Sequence, residues 1–383
     1  MTAQEILRIL VGIPTPSSVS NLPMLDWVKR FLEGKGWRVQ LYCYSDERNV
    51  EKANLIARPP AATEDAPIDL AFVCHSDTVP IADDWPAALD LNTSQAGTLL
   101  HGCGACDVKG SLACFLAALD GMDPQAVLPG VALILTADEE IGCKGVRRLL
   151  DTVKLRIGAA IVSEPTSLRP GIAGKGYGMA RITVKGIEAH SAFPQEGLSA
   201  IALAARLIDR IEKLAAQPSQ SADPLFDPPR TTVNIGVIEG GSAKNIVPGK
   251  CWFMVEWRPI PADPPRAFLT QLEWLIDQLH VDEPRVRIHV EPFRADPGFA
   301  PVNAGPLQSR LSQITEQIGR QPHPPTGISF GSEANRIAEV AGEVIVMGPG
   351  DMHTAHSRRE CVPSSELVEW TETLALLLST PIA

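Results

Sequence analysis

Between residues 37 and 162 the chain alternates apolar runs with helical stretches, and this rhythm excludes most architectures at once. The runs at 37–44, 53–57, 70–74, Val131–Thr136 and 159–162 are bounded by turn residues. Alternating or solid apolar runs this short lack the period of an amphipathic helix and read as short buried strands. Helical stretches at 111–119 and 146–150 lie between them. Two more helices open the chain: Ile6, Leu7, Ile9 and Leu10 precede a Gly12/Pro14/Pro16 break, and Leu25, Val28, Phe31 and Leu32 run up to Gly34-Lys35-Gly36. Strands separated by helices predict an α/β fold with a largely parallel sheet.

Near Gly174 the pattern changes. A strand at 176–184 leads to a helix at 199–214, a Pro/Ser/Asp-rich loop at 217–230, strands at 232–238 and Lys250–Arg258, a helix at 265–279 and a strand at 286–290. That order, β-α-β-β-α-β, is the ferredoxin-like split arrangement. After Phe293 a Pro/Gly-rich linker returns to helix (306–318), strand (344–347) and helix (364–378). At roughly 100–200 residues per domain, 383 residues suit two domains. We therefore expect one α/β domain in two parts, 1–173 and 292–383, interrupted by a smaller α+β domain at 174–291. No fixed-period repeat is visible.

Composition narrows the partners. With 45% hydrophobic and 21% charged residues the chain is ordinary globular material. Its 34 Lys and Arg against 45 Asp and Glu give a net charge of −11, which argues against nucleic acid or an anionic membrane surface and for a small-molecule partner. No stretch approaches the ~20 apolar residues of a membrane span, and the first residues lack a secretory signal pattern. The eight cysteines, at 43, 74, 103, 106, 114, 143, 251 and 361, form no dense disulfide framework, so most are expected to be free thiols in a cytoplasmic protein.

Acidic residues and histidines gather where strands run out into loops, the usual place for sites in open α/β sheets. In Val73-Cys74-His75-Ser76-Asp77 the histidine and aspartate share one side of an extended segment. The pair is either a satisfied structural contact or a metal ligand with the carboxylate that orients it. Asp107, in Gly104-Ala105-Cys106-Asp107-Val108-Lys109-Gly110, is either a helix N-cap or a ligand. Asp138-Glu139-Glu140 closes an apolar strand, and three adjacent carboxylates there repel one another unless a cation is near or the turn is solvated. Glu164 closes another apolar run, and Gly348-Pro349-Gly350-Asp351-Met352-His353-Thr354-Ala355-His356 carries two histidines, either of which the spacing allows as a ligand. Together these motifs supply the imidazoles and carboxylates that zinc prefers.

The five motifs, in this order and over nearly the whole chain, resemble the M20 co-catalytic zinc metallopeptidases and deacylases, and their details are most similar to the acetylornithine deacetylase branch. The resemblance implies a zinc-dependent exopeptidase-type catalytic domain with an inserted ferredoxin-like lid that dimerises. It implies two Zn²⁺ ions, with Co²⁺ or Mn²⁺ as substitutes. His75, Asp107 and Glu164 would hold one ion, and Asp107, Glu140 and His356 the other, with Asp107 bridging. Glu139 would be the general base and Asp77 the orienter of His75. Glu188-Ala189-His190-Ser191-Ala192 is similar to the family's Gly-His-Ser-Ala motif, with Ala189 where many relatives have glycine, so His190 would reach a partner subunit's site in a homodimer. The segments containing Asn245 and Arg258 resemble those that bind the substrate's carboxylate, a role suited to the planar guanidinium. Gly331-Ser332-Glu333-Ala334 resembles the Thr-Glu-Ala of acetylornithine and acetylcitrulline deacetylases, and Glu333 there would meet a cationic substrate side chain or start a helix. The activity implied is removal of an acyl group, acetyl first, from an N-acyl amino acid in arginine biosynthesis, with desuccinylase, aminoacylase and dipeptidase or carboxypeptidase as alternatives within the family.

Two readings of another kind compete. Cys103-Gly104-Ala105-Cys106 is a C-x-x-C, which can signal redox chemistry or structural zinc, but there is no second such pair. A non-catalytic binding protein on the same fold would not need a complete ligand set and base.

Overall fold

The apolar runs of the N-terminal half pair side by side in one sheet. The computed structural model describes residues 1–63, 66–80, 90–94, 97–217, 221–300 and 305–382. Its largest sheet has the order Arg38–Ser45, Glu51–Arg58, Val131–Thr136, Ile68–His75, Ile157–Val162, Ala341–Val346, Gly171–Gly174, Thr326–Ile328. The strands from Val131–Thr136 to Ala341–Val346 run parallel. Arg38–Ser45 and Glu51–Arg58 form an antiparallel hairpin, itself antiparallel to Val131–Thr136, and Gly171–Gly174 is antiparallel to Ala341–Val346. The sheet is therefore mixed rather than largely parallel. The link between the first two strands is a tight turn, which permits only antiparallel pairing, whereas each parallel pair needs a crossover.

Two units emerge from the internal packing: Met1–Ile172 with Pro301–Thr326 and Ser332–Ala383, and Ala173–Ala300 with Gly327–Gly331. In the first, every residue of Val131–Thr136 is buried. Helices Ala3–Val11, Leu22–Glu33, Lys109–Asp120, Pro306–Gln317 and Ser364–Ser379 share one core with the sheet, joining Ile6, Leu7, Leu10, Leu25, Phe115 and Trp370 to Phe72, Leu133 and Ile161. Each such side chain contributes about 1.5–3 kcal/mol by leaving water. The first helix starts in a capping box between Thr2 and Glu5. Trp370 Nε1 donates to Ser111 Oγ at 2.9 Å, so the one polar atom of that buried indole is satisfied.

The second unit carries an antiparallel sheet ordered Thr232–Gly240, Lys250–Arg258, Tyr177–Lys185, Arg287–Asp296. Alternate residues Ala180, Ile182 and Val184, with Cys251, Phe253, Val255 and Trp257, are buried in one core with helices Ala200–Ala216 and Ala267–Asp282. The chain order is strand, helix, strand, strand, helix, strand. The last strand continues past residue 291, and residues 292–300 pack with this unit. A three-stranded sheet of Cys361–Pro363, Gly97–His101 and Asp90–Ser94 has no counterpart in the sequence expectations, because these segments carry few consecutive apolar residues. Among the described residues no helix is long and apolar enough to cross a membrane.

Candidate metal centre

The four parallel strands send their carboxyl ends toward one cluster of ligating side chains. His75 ends Ile68–His75, Glu139 and Glu140 follow Val131–Thr136, Glu164 follows Ile157–Val162, and the loop to His356 follows Ala341–Val346. Asp107 comes from the loop before helix Lys109–Asp120. The atoms that could ligate a metal form two groups, His75 with Asp107 and Glu164, and Asp107 with Glu140 and His356, each within 4.8 Å of one another. Asp107 belongs to both because its oxygens diverge: Oδ1 is 2.9 Å from His75 Nε2 and Oδ2 is 3.2 Å from His356 Nε2. His356 Nε2 also lies 3.0 Å from Glu140 Oε2. His353 joins neither group; it is exposed, and its backbone N–H donates to Asp351 Oδ1 at 2.9 Å.

The protonation pattern of the site follows from its burial. His75, Asp107 and Glu164 are at most 4% exposed. His75 Nδ1 lies 2.9 Å from the backbone oxygen of Asp77 and donates to it, while Nε2 donates to Asp107 Oδ1 at 2.9 Å, a proton that a bound cation would replace. The Asp77 carboxylate is farther from that ring, at 3.8 Å. It accepts instead from Ser17 Oγ at 2.6 Å and from the backbone N–H groups of Glu139 at 3.1 Å and Glu140 at 3.3 Å. Asp77 thus touches His75 through its carbonyl and the Glu139 loop through its carboxylate.

Charge is crowded here. Burial, with the nearby Glu140, Glu333 and Asp77 charges, pushes Glu139 up to about 8 against the pull of His75. Burial also raises Glu164, helped by Asp107 and Glu139, and raises Glu333 to about 7. Hydrogen bonds to Asp107 and Glu140 lift His356 to about 10. Burial opposes the charge on Asp107, but hydrogen bonds from His356 and His75 hold its carboxyl below the usual range. A cluster that must borrow protons to remain buried is suited to divalent cations, which would neutralise the same carboxylates directly. The donor set of imidazole and carboxylate fits zinc and its neighbours in the transition series.

A sequence model of Peptidase family M20/M25/M40 matches residues 71–380. The chain belongs to this family. An acetylornithine deacetylase of Myxococcus xanthus is 41% identical over 371 residues, spanning 96% of this M20 chain and 94% of its own length. An acetylornithine deacetylase of Klebsiella pneumoniae (strain 342) is 28% identical over 95% of each. Among solved structures, aminopeptidase PepT from Bacillus cereus matches with a TM-score of 0.77 at 22% identity, covering 98% of this chain and 97% of that one. The Bacillus subtilis protein YXEP, a dinuclear metal-binding peptidase from the M20 family, matches with a TM-score of 0.70 at 16% identity, covering 99% and 98%. The two structures establish the fold, and the family makes this M20 chain a hydrolase acting on amide bonds.

The remaining expected site residues are distributed between the units. In the first, Glu333 is 1% exposed; Thr136 Oγ1 donates to its Oε2 at 2.7 Å, and its Oε1 has no hydrogen-bond partner among the described residues. It precedes the short helix Ala334–Ile337 without capping it through its side chain. In the second, His190 is exposed and accepts from Ala192 N–H at 3.0 Å. Asn245 is exposed, and its carbonyl accepts from Ser191 N–H at 3.0 Å. Arg258 donates to Glu256 Oε1 at 2.9 Å while its guanidinium stacks 4.4 Å over Tyr177.

The C-x-x-C does not behave as a redox pair. All eight cysteines are free. Burial pushes the Cys103 thiol up to about 11 and the Cys106 thiol well above its ordinary value, the reverse of a reactive thiolate. One contributor is invisible in the sequence: the buried Glu360 accepts from the backbone N–H groups of both Cys106 and Asp107 at 3.2 Å, fastening the Asp107 loop. Its only signal is a carboxylate four residues after His356, which carries no meaning until the fold is known.

Proposed function

We propose that this chain is a two-metal deacylase that releases the free amine from an N-acylated amino acid, with N-acetylornithine as its substrate and ornithine, a precursor of arginine, as its product. The observation that carries the substrate is the 41% identity, over 96% of the chain, to a relative named acetylornithine deacetylase. The observation that supports two metals is the divergence of the two Asp107 oxygens toward separate ligand groups. His75 and Glu164 would hold one zinc ion and Glu140 and His356 the other, with Asp107, common to both groups, contributing to each. When bound, the cations polarise the amide carbonyl and draw the pKa of water toward neutrality.

Glu139 takes a proton from the attacking water and delivers it to the amine nitrogen as the C–N bond breaks. It neighbours the ligand Glu140, and Asp77 holds the amides of both residues, so the base and the ligand are aimed by one carboxylate. Glu333 receives the cationic side chain of the substrate, consistent with a buried Oε1 that has no hydrogen-bond partner among the described residues. Arg258 and Asn245 hold the substrate carboxylate. Arg258 is suited to this by its fork and by the Tyr177 face that stiffens it.

His190 acts across a homodimer, holding the carbonyl oxygen in the partner's site. Support for association is the edge strand Thr232–Gly240, whose Val237 and Ile238 are 50% and 52% exposed beyond a register shift between Ile235 and Val237. Eight free thiols and a chain similar to enzymes of amino-acid metabolism support a cytoplasmic setting. The test is amine release by zinc-replete protein from N-acetylornithine, N-acetylcitrulline, N-succinyl-diaminopimelate and a neutral dipeptide. Preference for N-acetylornithine is expected; turnover of the dipeptide alone would overturn the substrate assignment.

A further inference from the structure

Of the three adjacent carboxylates, the mechanism uses Glu139 and Glu140 and leaves Asp138 unexplained. Asp138 turns away from the ligand cluster and meets Lys52, whose Nζ stands 3.0 Å from Oδ1; both side chains are at most 1% exposed. Tyr44 Oη donates to the other oxygen at 2.8 Å. The backbone of Asp138 is left-handed, at φ 57°, a conformation that non-glycine residues rarely adopt without being held.

Lys52 does more than neutralise Asp138. Its Nζ also donates to the carbonyls of Ser17 at 3.0 Å and Val19 at 2.6 Å. Ser17 in turn donates through Oγ to Asp77, and Asp77 accepts the amides of Glu139 and Glu140. The contacts close a ring: Lys52 to Asp138, along the backbone to Glu139, across to Asp77, through Ser17 and back to Lys52. Two residues along the same strand, hence on the same face, Asn54 accepts from Ala137 N–H at 3.0 Å and donates to the Gly145 carbonyl at 2.9 Å. The strand Glu51–Arg58 thus holds the loop carrying the base at both ends and at its turn. A buried ion pair is weak evidence for stability, because apolar residues of similar volume often serve as well, so the pair calls for another role.

We propose that Lys52 is a positioning residue for proton transfer: through Asp138 it fixes the left-handed turn that aims Glu139, and through Ser17 it fixes the hydroxyl that seats Asp77 beneath the same loop. The inference rests on the reading of Glu139 as the base. Lys52 touches none of the reacting atoms, so its removal acts on kcat and not on substrate affinity.

The test compares Lys52→Met with the double variant Lys52→Met/Asp138→Asn, which leaves no unpaired buried charge, and with Glu139→Gln as reference. Lys52→Met is expected to lower kcat by roughly 10- to 100-fold, the scale of an ångström-sized misplacement, with KM and bound zinc unchanged. Peptides covering 137–145 should exchange amide hydrogen faster while Val131–Thr136 stays protected. The double variant should regain thermal stability but not kcat. Recovery of wild-type kcat in the double variant would make the pair merely structural and overturn the proposal, as would full kcat in Lys52→Met. An active Glu139→Gln enzyme would instead overturn the assignment of the base, so the two failures are distinguishable.

Discussion

Replacing Asp77 by asparagine removes a charge and an acceptor oxygen from a carboxylate that is 1% exposed and fully used. Oδ1 serves the Glu139 amide, and Oδ2 serves both the Glu140 amide and Ser17. Asparagine keeps one acceptor. With its oxygen at the Oδ1 position, Ser17 can rotate and accept from the new NH₂, but the Glu140 amide then faces a donor. With the amide flipped, the Glu139 N–H is stranded instead. Either rotamer leaves one buried N–H without an acceptor, costing about 1–3 kcal/mol, and weakens the surviving charge-assisted bonds by roughly 1 kcal/mol more.

The expected loss is therefore about 2–4 kcal/mol in urea-induced unfolding followed by tryptophan fluorescence at a fixed zinc concentration. Because both amides belong to the loop bearing the base, kcat should fall on the order of 100-fold. Ser17→Ala removes one hydroxyl proton, shared between Asp77 and the Thr78 carbonyl, and leaves that carbonyl bonded to the residue 17 amide, so it should cost only about 1 kcal/mol. If Asp77→Asn unfolds at the wild-type urea midpoint and keeps its kcat, the carboxylate does not seat the loop and the reasoning is refuted.

Asp107→Ala removes the one residue common to both ligand groups, so dialysed protein is expected to lose both metals by elemental analysis; retention of a full complement would contradict the bridge. In the metal-free protein Glu139 titrates near about 8 and Glu333 and Glu360 near about 7, all raised from 4.5. Between 4.5 and those values the folded chain holds protons that the unfolded chain has released, so stability falls as pH rises through that window. Chelator-treated protein should show a declining Tm from about pH 5 to pH 8, and excess zinc should flatten the slope; a flat profile without metal would contradict the electrostatic account. Glu333→Gln should cut kcat/KM for N-acetylornithine by about tenfold, one charge-assisted bond, while sparing neutral acyl-amino acids. An unchanged preference between the two would remove Glu333 from substrate recognition.

Much of the candidate site is legible because three of its candidate ligands end apolar runs: His75, Glu140 and Glu164 sit where buried strands leave the sheet, and the run itself announces the strand. Asp107 is different. No apolar strand leads to it, and only its place in a set of motifs singles it out before the fold is seen. The His75-x-Asp77 spacing brings the two residues together, but it cannot tell the carbonyl from the carboxylate, and the carboxylate proves to face the Glu139 loop. Lys52 and Asn54 are silent in the sequence because a polar residue in a strand takes its meaning from partners almost a hundred positions away. The hairpin Arg38–Ser45 to Glu51–Arg58 is readable as two strands, yet its antiparallel direction comes from the short turn and not from the apolar pattern. Gly97–His101 and Cys361–Pro363 escape notice because strands so short and mixed carry no periodicity.

The central claim is that two metals and Glu139 together hydrolyse an N-acyl amino acid. The most direct measurement is the rate of N-acetylornithine hydrolysis as zinc is titrated into chelator-treated protein, with Glu139→Gln titrated in parallel. The account predicts activity that rises until each chain holds two zinc ions, and a variant that binds the same two ions without turning over. Full activity in the metal-free protein, or in metal-loaded Glu139→Gln, would contradict it.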